Sequence, residues 1–583
     1  IELEGSSRDS LRLDFGPLRR SLHVRRDIRM PEAGVAYVDG EYLACRYLRL
    51  SFRGLSRQPA PISVRIRRLG LVFSGYPAVY RGEFRCDRPE LERIWETGAY
   101  TVQLCMQKHT ASSAYQFDLL PEPNRDFIRN WRSRYSPYVI FDGPRRDRET
   151  WLGDIRTEAL AIYGAFGADE VVKSSLEVFL DLQRPDGTTV GCGATWQEFR
   201  EYNLWWIIAI WECFLFTGDR DFLRYFYPGI RALVGWIRNR QDERGFLFND
   251  GNWMWTLPRE GYSSATQCIL VRTLEDVAKI EREMDNEPEA ARLEADAARI
   301  REGINRVFWD GERGIYIDHL RLLNADTPVM SDVNVYAVLF GIADDRQRTR
   351  LLSYLRAHMW TPYGSATLDR RIETAYLAPD VRHYGLAGFV RGHPEPEKAI
   401  VEFMYPHNRQ VWPFINGYEV EARFAAGDEA GAFELMDRCW GNMLRGEPGT
   451  FWECVDADTG EFPLRSFFPG SKMDCINSAA HGWSGWISWI LQACVLGIRP
   501  VAPGFRRIRV SPRLGPLQRV SGRVPTPLGA ISAAWVRTEE VLSLEMTLPE
   551  GIDIDLQVPD STLGARRLET HIVRLAADPS ARA

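Results

Sequence analysis

Leu204-Trp205-Trp206-Ile207-Ile208-Ala209-Ile210-Trp211-Glu212-Cys213-Phe214-Leu215-Phe216 is the most apolar run of the chain. Wound as a helix, it is apolar on nearly every side. It has only 13 residues, contains Glu212 and ends at Thr217-Gly218. A membrane-spanning helix needs about 20 residues, so the run predicts a helix buried in protein. Ala290–Val307 reads differently, with one apolar and one polar side. Two such classes suit a double-layered α/α barrel, with buried helices inside and amphipathic ones outside. A helical solenoid would carry a sequence repeat of about 34–47 residues, and none is visible.

The helical region extends in both directions from this run. Upstream it starts at Asp87, where Pro89 and Glu90 follow: a cap acceptor, Pro in the first turn and an acid near the positive helix end. Eleven helices are expected between there and about Gly497: Pro89–Met106, Asp169–Gln183, Tyr202–Phe216, Phe222–Gln241, Ala265–Met284, Ala290–Phe308, Ser331–Phe340, Gln347–His358, Glu397–Tyr405, Glu429–Leu444 and Ser478–Leu496. Pro185-Asp186-Gly187, Thr217-Gly218-Asp219 and Asp310-Gly311 punctuate them as turns. Before Asp87 the period is two, as in Tyr47-Leu48-Arg49-Leu50-Ser51-Phe52 and Ile62-Ser63-Val64-Arg65-Ile66. After Pro500 it returns to two, as in Ile531-Ser532-Ala533-Ala534-Trp535 and Leu542-Ser543-Leu544-Glu545-Met546. The expected architecture is multidomain and mainly α: a β-rich N-terminal domain over 1–85, a helical barrel over 86–497 and a C-terminal β-sandwich over 498–583.

Composition narrows the function. The 583 residues carry 45% apolar and 26% charged side chains, close to globular averages, which excludes global disorder. A net charge of −6 leaves no nucleic-acid footprint. Aromatic residues reach 12%, with 19 Trp, and Trp faces stack on flat apolar ligands such as sugars as well as packing cores. The nine His include no HExxH motif and no pair at i, i+4, so no zinc site is expected. No cofactor is expected. The ten Cys contain no CxxC pair and read as free core thiols, mildly favouring a reducing, cytoplasmic setting. The chain opens on Ile1 without a signal-like stretch after it, and secretion stays open if the start was trimmed. Nothing in the sequence sets an oligomeric state.

Two clusters are candidates for chemistry. Asp142-Gly143-Pro144-Arg145-Arg146-Asp147-Arg148-Glu149-Thr150-Trp151-Leu152-Gly153-Asp154 packs four carboxylates, three Arg and a Trp into thirteen residues. Gly143, Pro144 and Gly153 mark it as loop. A solvated charged loop is the plain reading, but such a loop rarely needs so many special backbone positions. Thr450-Phe451-Trp452-Glu453-Cys454 sets one carboxylate in an apolar stretch, where burial raises its pKa unless a partner offsets it. A capping acid is the alternative. Asn477-Ser478-Ala479-Ala480-His481-Gly482-Trp483 follows, as the possible start of an inner helix with His481 near a cleft; a satisfied structural His is the commoner case.

These stretches resemble a known family. Asp142–Asp154 is similar to the DGxxRDRxxWxGD signature of the bacterial α-L-rhamnosidases of glycoside hydrolase family 78. Thr450–Glu453 is similar to that family's TTxWE motif, and His481 to a His that follows an Asn-rich turn there. Pro185-Asp186-Gly187, Phe308-Trp309-Asp310, Ser331-Asp332-Val333-Asn334 and Pro503-Gly504-Phe505-Arg506-Arg507-Ile508 are similar as well and occur in the family order. The resemblance implies an (α/α)6 barrel flanked by β-domains and an exo-acting hydrolase that releases terminal α-L-rhamnose with inversion. It maps the general acid to Asp147, with Glu149 as the alternative because many members carry Glu just after the acid, where this chain has Arg148. It maps the base to Glu453. Asp142, Arg146 and Asp154 are then expected on the sugar hydroxyls, with His481 close by, and Trp151, Trp253, Trp255 and Trp452 over the methyl and ring face. Asn252-Trp253-Met254-Trp255 departs from the family, which often has an Asp-Trp pair there. The expected partner is a carbohydrate ending in L-rhamnose, with no nucleic acid and no membrane. Two other readings compete. One is another (α/α)6 carbohydrate enzyme, a different exo-glycosidase or a polysaccharide lyase, and for the lyase Arg145, Arg146 and Arg148 would neutralise a uronate. A catalytically dead carbohydrate-binding protein is disfavoured by the presence of both carboxylates.

Overall fold

Helices of two kinds alternate along the chain and close a ring in the computed structural model. The structure describes residues 2–4, 9–16, 24–29, 36–37, 46–54, 65–70, 72–112, 121–194, 196, 199–249, 261–318, 328–371, 409–463 and 477–576. Outer helix α1 (Pro89–Cys105) precedes the short α2 (Glu122–Asn130) and the first inner helix, α3 (Leu152–Ala165). Outer and inner helices then take turns: α4 (Asp169–Asp181), α5 (Tyr202–Thr217), α6 (Arg220–Asn239), α7 (Ser264–Glu283), α8 (Glu287–Phe308), α9 (Ser331–Leu339), α10 (Asp345–His358), α11 (Pro413–Ala425) and α12 (Glu429–Leu444). The last inner helix, α13 (Ile487–Ile490), passes into a π-helical turn over Leu491–Leu496. Each of α3, α5, α7, α9, α11 and α13 packs on the next, and α13 packs back on α3. This is an (α/α)6 barrel.

The reason lies in the composition of each face. All fourteen residues of α3 are buried, as are nearly all of α5. Outer helix α8 buries only Ala290, Leu293, Ala297, Ile300, Gly303, Ile304 and Phe308, the stripe its sequence spacing predicts. Trp205 and Trp206 are both core residues, at 0% exposure.

Three local expectations differ from the structure. Gly153 and Asp154 lie in the first turn of α3, not in a loop. Gly153 is there because the Tyr202 ring stands 2.5 Å from where a Cβ would sit. Asp87 does not cap α1; Arg88 holds the cap position without a side-chain bond, and the Asp87 carboxylate accepts from the Gln518 N–H instead, tying the helix entry to the C-terminal domain. The helix expected from Ser478 begins only at Ile487, because the 478–484 backbone is engaged elsewhere: Glu453 N donates to Ser478 O and His481 N to Phe451 O. The expected helix Glu397–Tyr405 lies outside the described residues. We predict that Gly153→Ala costs about 1–3 kcal/mol by overpacking, seen as a lowered urea midpoint. An unchanged midpoint would mean that Tyr202 yields freely.

The N-terminal region holds two antiparallel three-stranded sheets, ordered 36–37, 2–4, 65–68 and 24–29, 9–16, 47–54. The C-terminal region holds a three-stranded sheet (498–502, 507–510, 553–556) and a five-stranded one ordered 567–575, 541–549, 529–537, 519–526, 83–86. Strand Glu83–Cys86, just before α1, therefore adds to the C-terminal sheet, where Val520 pairs with Cys86. The eight described cysteines are free thiols, and all but Cys86 are buried. Among the described residues no helix is long and apolar enough to cross a membrane.

Candidate active site

Asp142 organises the first cluster. Its two carboxylate oxygens accept from the Asp147 N–H at 2.6 Å and the Glu149 N–H at 3.0 Å, and its own N–H donates to Glu149 O. The loop 142–149 is thus folded around one buried side chain. Gly482 N donates to Asp142 O at 2.7 Å, which brings in the third stretch. That stretch also grips the second: Ser478 N donates to Glu453 Oε2 at 2.6 Å, Thr450 Oγ1 to Ala479 O at 2.6 Å and Trp483 Nε1 to Glu453 O at 3.0 Å. The first segment lies some three hundred residues from the other two in sequence, and all three meet at one end of the barrel, beside the N-terminus of α3.

Arg146 joins the two carboxylates. Its guanidinium lies 3.0 Å from Asp147 Oδ1 and 3.8 Å from Glu453 Oε2. Through one guanidinium the two cannot be more than about 9 Å apart, a bound that admits both the roughly 6.5–9.5 Å of an inverting pair and the roughly 5–5.5 Å of a retaining one. About a fifth of the Asp147 side chain is exposed (21%), against 1% of Glu149, whose Oε2 accepts from Ser112 Oγ at 2.7 Å. Of the two candidate acids, Asp147 has the accessible carboxyl.

Burial sets the electrostatics. It raises Glu453 to about 7; Asp147 adds to the rise, while Arg146 and the Ser478 N–H oppose it. Asp154 is pushed well above the usual carboxylate range by burial, then by Glu453 and Asp147. Asp142 is raised by burial and by Asp147, against its two backbone donors. His481 is driven far below its ordinary value by burial and by Arg146, so its imidazole is neutral. Its Nε2 stands 3.6 Å from Asp142 and 4.0 Å from Asp154, and its ring packs on Trp483.

The structure thus assembles Asp142, Arg146, Asp147, Asp154, Glu453 and His481. Trp151 sits half-buried at the start of α3, against Phe199. Trp452 is 4% exposed and packs on Phe462, leaving almost no surface to offer a sugar. Trp253 and Trp255 lie outside the described residues. Sequence reading missed Glu158, one helical turn below Asp154. It is buried, its Oε1 has no hydrogen-bond partner, and burial, Asp154 and Asp142 raise its pKa strongly. A Cβ on Gly482 would overlap that oxygen, so the glycine leaves the room that the Glu158 carboxylate occupies. The i, i+4 spacing of Asp154 and Glu158 is the signal that was present. Among the described residues no group of His, Cys, Asp and Glu is arranged to hold a metal ion.

The barrel and this site define the class, a six-hairpin glycosidase. Residues 130–362 match the model of the bacterial alpha-L-rhamnosidase 6 hairpin glycosidase domain, and residues 497–572 that of the bacterial alpha-L-rhamnosidase C-terminal domain. The chain belongs to the bacterial α-L-rhamnosidase family. It is 21% identical over 468 residues to an alpha-L-rhamnosidase of Alteromonas sp. (strain LOR), covering 75% of this chain and 44% of that protein. Its fold is similar to that of the GH78 family rhamnosidase of Bacillus sp. GL1, with a TM-score of 0.71 at 22% identity, over 99% of this chain and 53% of that one. The rhamnosidase of Klebsiella oxytoca with rhamnose bound is also similar, with a TM-score of 0.60 at 19% identity, over 84% of each chain. The chain spans about half the length of the Alteromonas and Bacillus proteins.

Proposed function

We propose that this chain is an exo-acting α-L-rhamnosidase that hydrolyses terminal α-L-rhamnosides with inversion, its catalytic domain spanning 86–497. The observation that carries the reading is the pair of carboxylates on one guanidinium, Asp147 and Glu453 about Arg146, on the rim of an (α/α)6 barrel. Glu453 is the base: it activates a water for attack on the anomeric carbon. Asp147 is the acid: it protonates the leaving oxygen. Arg146 neutralises whichever of the two is ionised at each stage and holds both in place. The Asp154 carboxylate lies 4.0 Å from His481 Nε2, beyond hydrogen-bond distance, and is offered to the sugar hydroxyls. Trp151 covers the apolar edge of a 6-deoxy sugar.

One observation favours a second reading, with the roles exchanged. Asp147 is ion-paired to Arg146 at 3.0 Å, as suits an ionised base, while Glu453 is raised to about 7, as suits a protonated acid. Leaving-group dependence separates the two and is argued below.

Turnover of p-nitrophenyl α-L-rhamnoside against a panel of other p-nitrophenyl glycosides tests the reading. A clear preference for the rhamnoside is expected. No turnover, with an unsaturated uronate released from a polysaccharide instead, would mean a lyase. As the base, Glu453 must be deprotonated, so kcat/KM should fall about tenfold per pH unit below about 7. A flat profile from pH 5 to 8 would contradict the environment assigned to Glu453. Overnight EDTA should leave activity intact, and a loss restored by Ca²⁺ would contradict the metal-free mechanism.

A further inference from the structure

Three buried carboxyls, Asp142, Asp154 and Glu158, stand together behind Asp147 and Glu453. The reaction proposed above uses Asp154 and gives Glu158 no task. Glu158 follows Asp154 by four residues on α3, so the two share one face of the helix, with Cβ atoms about 5–6 Å apart. Its Oε1 lies against Gly482, where a Cβ would overlap it, and Gly482 is held in turn by the bond from its N–H to Asp142 O.

Among the described residues no Lys or Arg pairs with Glu158, and its Oε1 accepts no hydrogen bond. The groups that face it are Asp154 on its own helix, Asp142 on the loop, and the Cys105 thiol of α1, which burial keeps neutral. His481, next to Gly482 in the chain, is neutral as well. The other elements packed on α3, namely α4, α5, α13 and the strand over 519–526, bring no charge to it.

Three carboxyls buried in one place with no cation of their own cannot all ionise. Asp142 accepts two backbone N–H bonds, which favour its anion. The proton is left to Asp154 or Glu158, and the helix separates them. Asp154 lies in the first turn of α3, where the positive helix end favours a negative charge. Glu158 lies one turn further in, where that effect has faded. Asp154 raises the pKa of Glu158, while the groups that raise Asp154 are Glu453 and Asp147, after burial. Against that pressure an ionised Asp154 needs a donor, and a protonated Glu158 has one to give.

We propose that Glu158 is a positioning residue: it keeps the proton of this cluster and, as a neutral acid below Asp154, holds the Asp154 carboxylate ionised and in place for the sugar hydroxyls. The part played toward the sugar rests on the glycosidase reading; the location of the proton does not.

Infrared spectra of the full chain at neutral pH test the proton. The wild type is expected to show a protonated-carboxyl C=O stretch, above the amide I band, that Glu158→Gln lacks. Equal spectra in that region would mean an ionised Glu158 and would overturn the proposal, whatever the protein hydrolyses. Kinetics on p-nitrophenyl α-L-rhamnoside test the positioning. Glu158→Leu fills the same space without a donor and should raise KM at least about tenfold, the loss of a charge-assisted hydrogen bond, with kcat changed much less. Glu158→Gln offers an N–H in place of the O–H and should recover most of that loss. Wild-type KM in the Leu variant, or the same rise in both variants, would overturn the positioning role. If the wild type turns over no rhamnoside, the glycosidase reading fails, and the infrared band still decides where the proton lies.

Discussion

Glu453→Gln is expected to lower kcat on an α-L-rhamnoside by about 10²–10⁴-fold, the usual contribution of a general base. The substitution is nearly isosteric, and the contacts that hold the residue survive it: the amide oxygen can still accept from Ser478 N, and the backbone bonds of Glu453 with Ser478 and Trp483 are untouched. Stability should therefore change little, and Gln relieves the cost of desolvating a carboxylate beside Asp147. What is lost is the ability to accept a proton. The pH limb near 7 should vanish in the residual activity, because Glu453 produces it. A variant that keeps more than about a tenth of wild-type kcat falls outside the range of a general base, and Glu453 would then not be one.

Asp147→Asn should show an effect as large but selective. An acid matters when the leaving oxygen is poor, as in a disaccharide or a flavonoid glycoside. It matters far less for p-nitrophenolate, which departs unprotonated. The variant should lose about 10²–10⁴-fold on a disaccharide and much less on p-nitrophenyl α-L-rhamnoside. Glu149→Gln should lower both by one similar, smaller factor, since Glu149 is buried and holds Ser112. If Glu149→Gln alone is selective, the acid is Glu149. If Glu453→Gln is the selective variant, the two roles are exchanged, as the Arg146–Asp147 ion pair and the raised Glu453 would allow. Each outcome assigns the proton to a different residue, and the barrel is common to all of them.

The barrel was legible because its two helix classes differ in composition. Tyr202–Thr217 is apolar on all sides and Glu287–Phe308 on one stripe, and no tertiary knowledge is needed to tell them apart. Inner helices α3 and α11 were not legible. Gly153 reads as a breaker, yet it is the residue that admits Tyr202 at the helix start. In α11, Pro413 opens the helix from within an aromatic stretch, Trp412 and Phe414 on either side, that gives no periodic signal. The site was legible as three stretches but not as one place. Nothing in sequence says that Gly482 bonds Asp142 or that Ser478 bonds Glu453, because backbone donors carry no sequence signature. The two oxygens of Asp142 are largely spent on the loop itself, a structural duty that its charge alone does not reveal. Trp452 shows the converse: its place beside Glu453 suggested a sugar platform, and its ring is packed against Phe462.

In the proposed mechanism Asp147 and Glu453 stand on opposite sides of an α-L-rhamnosidic bond and hydrolyse it by direct attack of water. Proton NMR of the first minutes of hydrolysis tests this most directly. The predicted result is β-L-rhamnose as the first product, with the α anomer growing in only by mutarotation. α-L-Rhamnose as the first product would mean a covalent intermediate on one of the two carboxylates, and no rhamnose from any α-L-rhamnoside would contradict the claim outright.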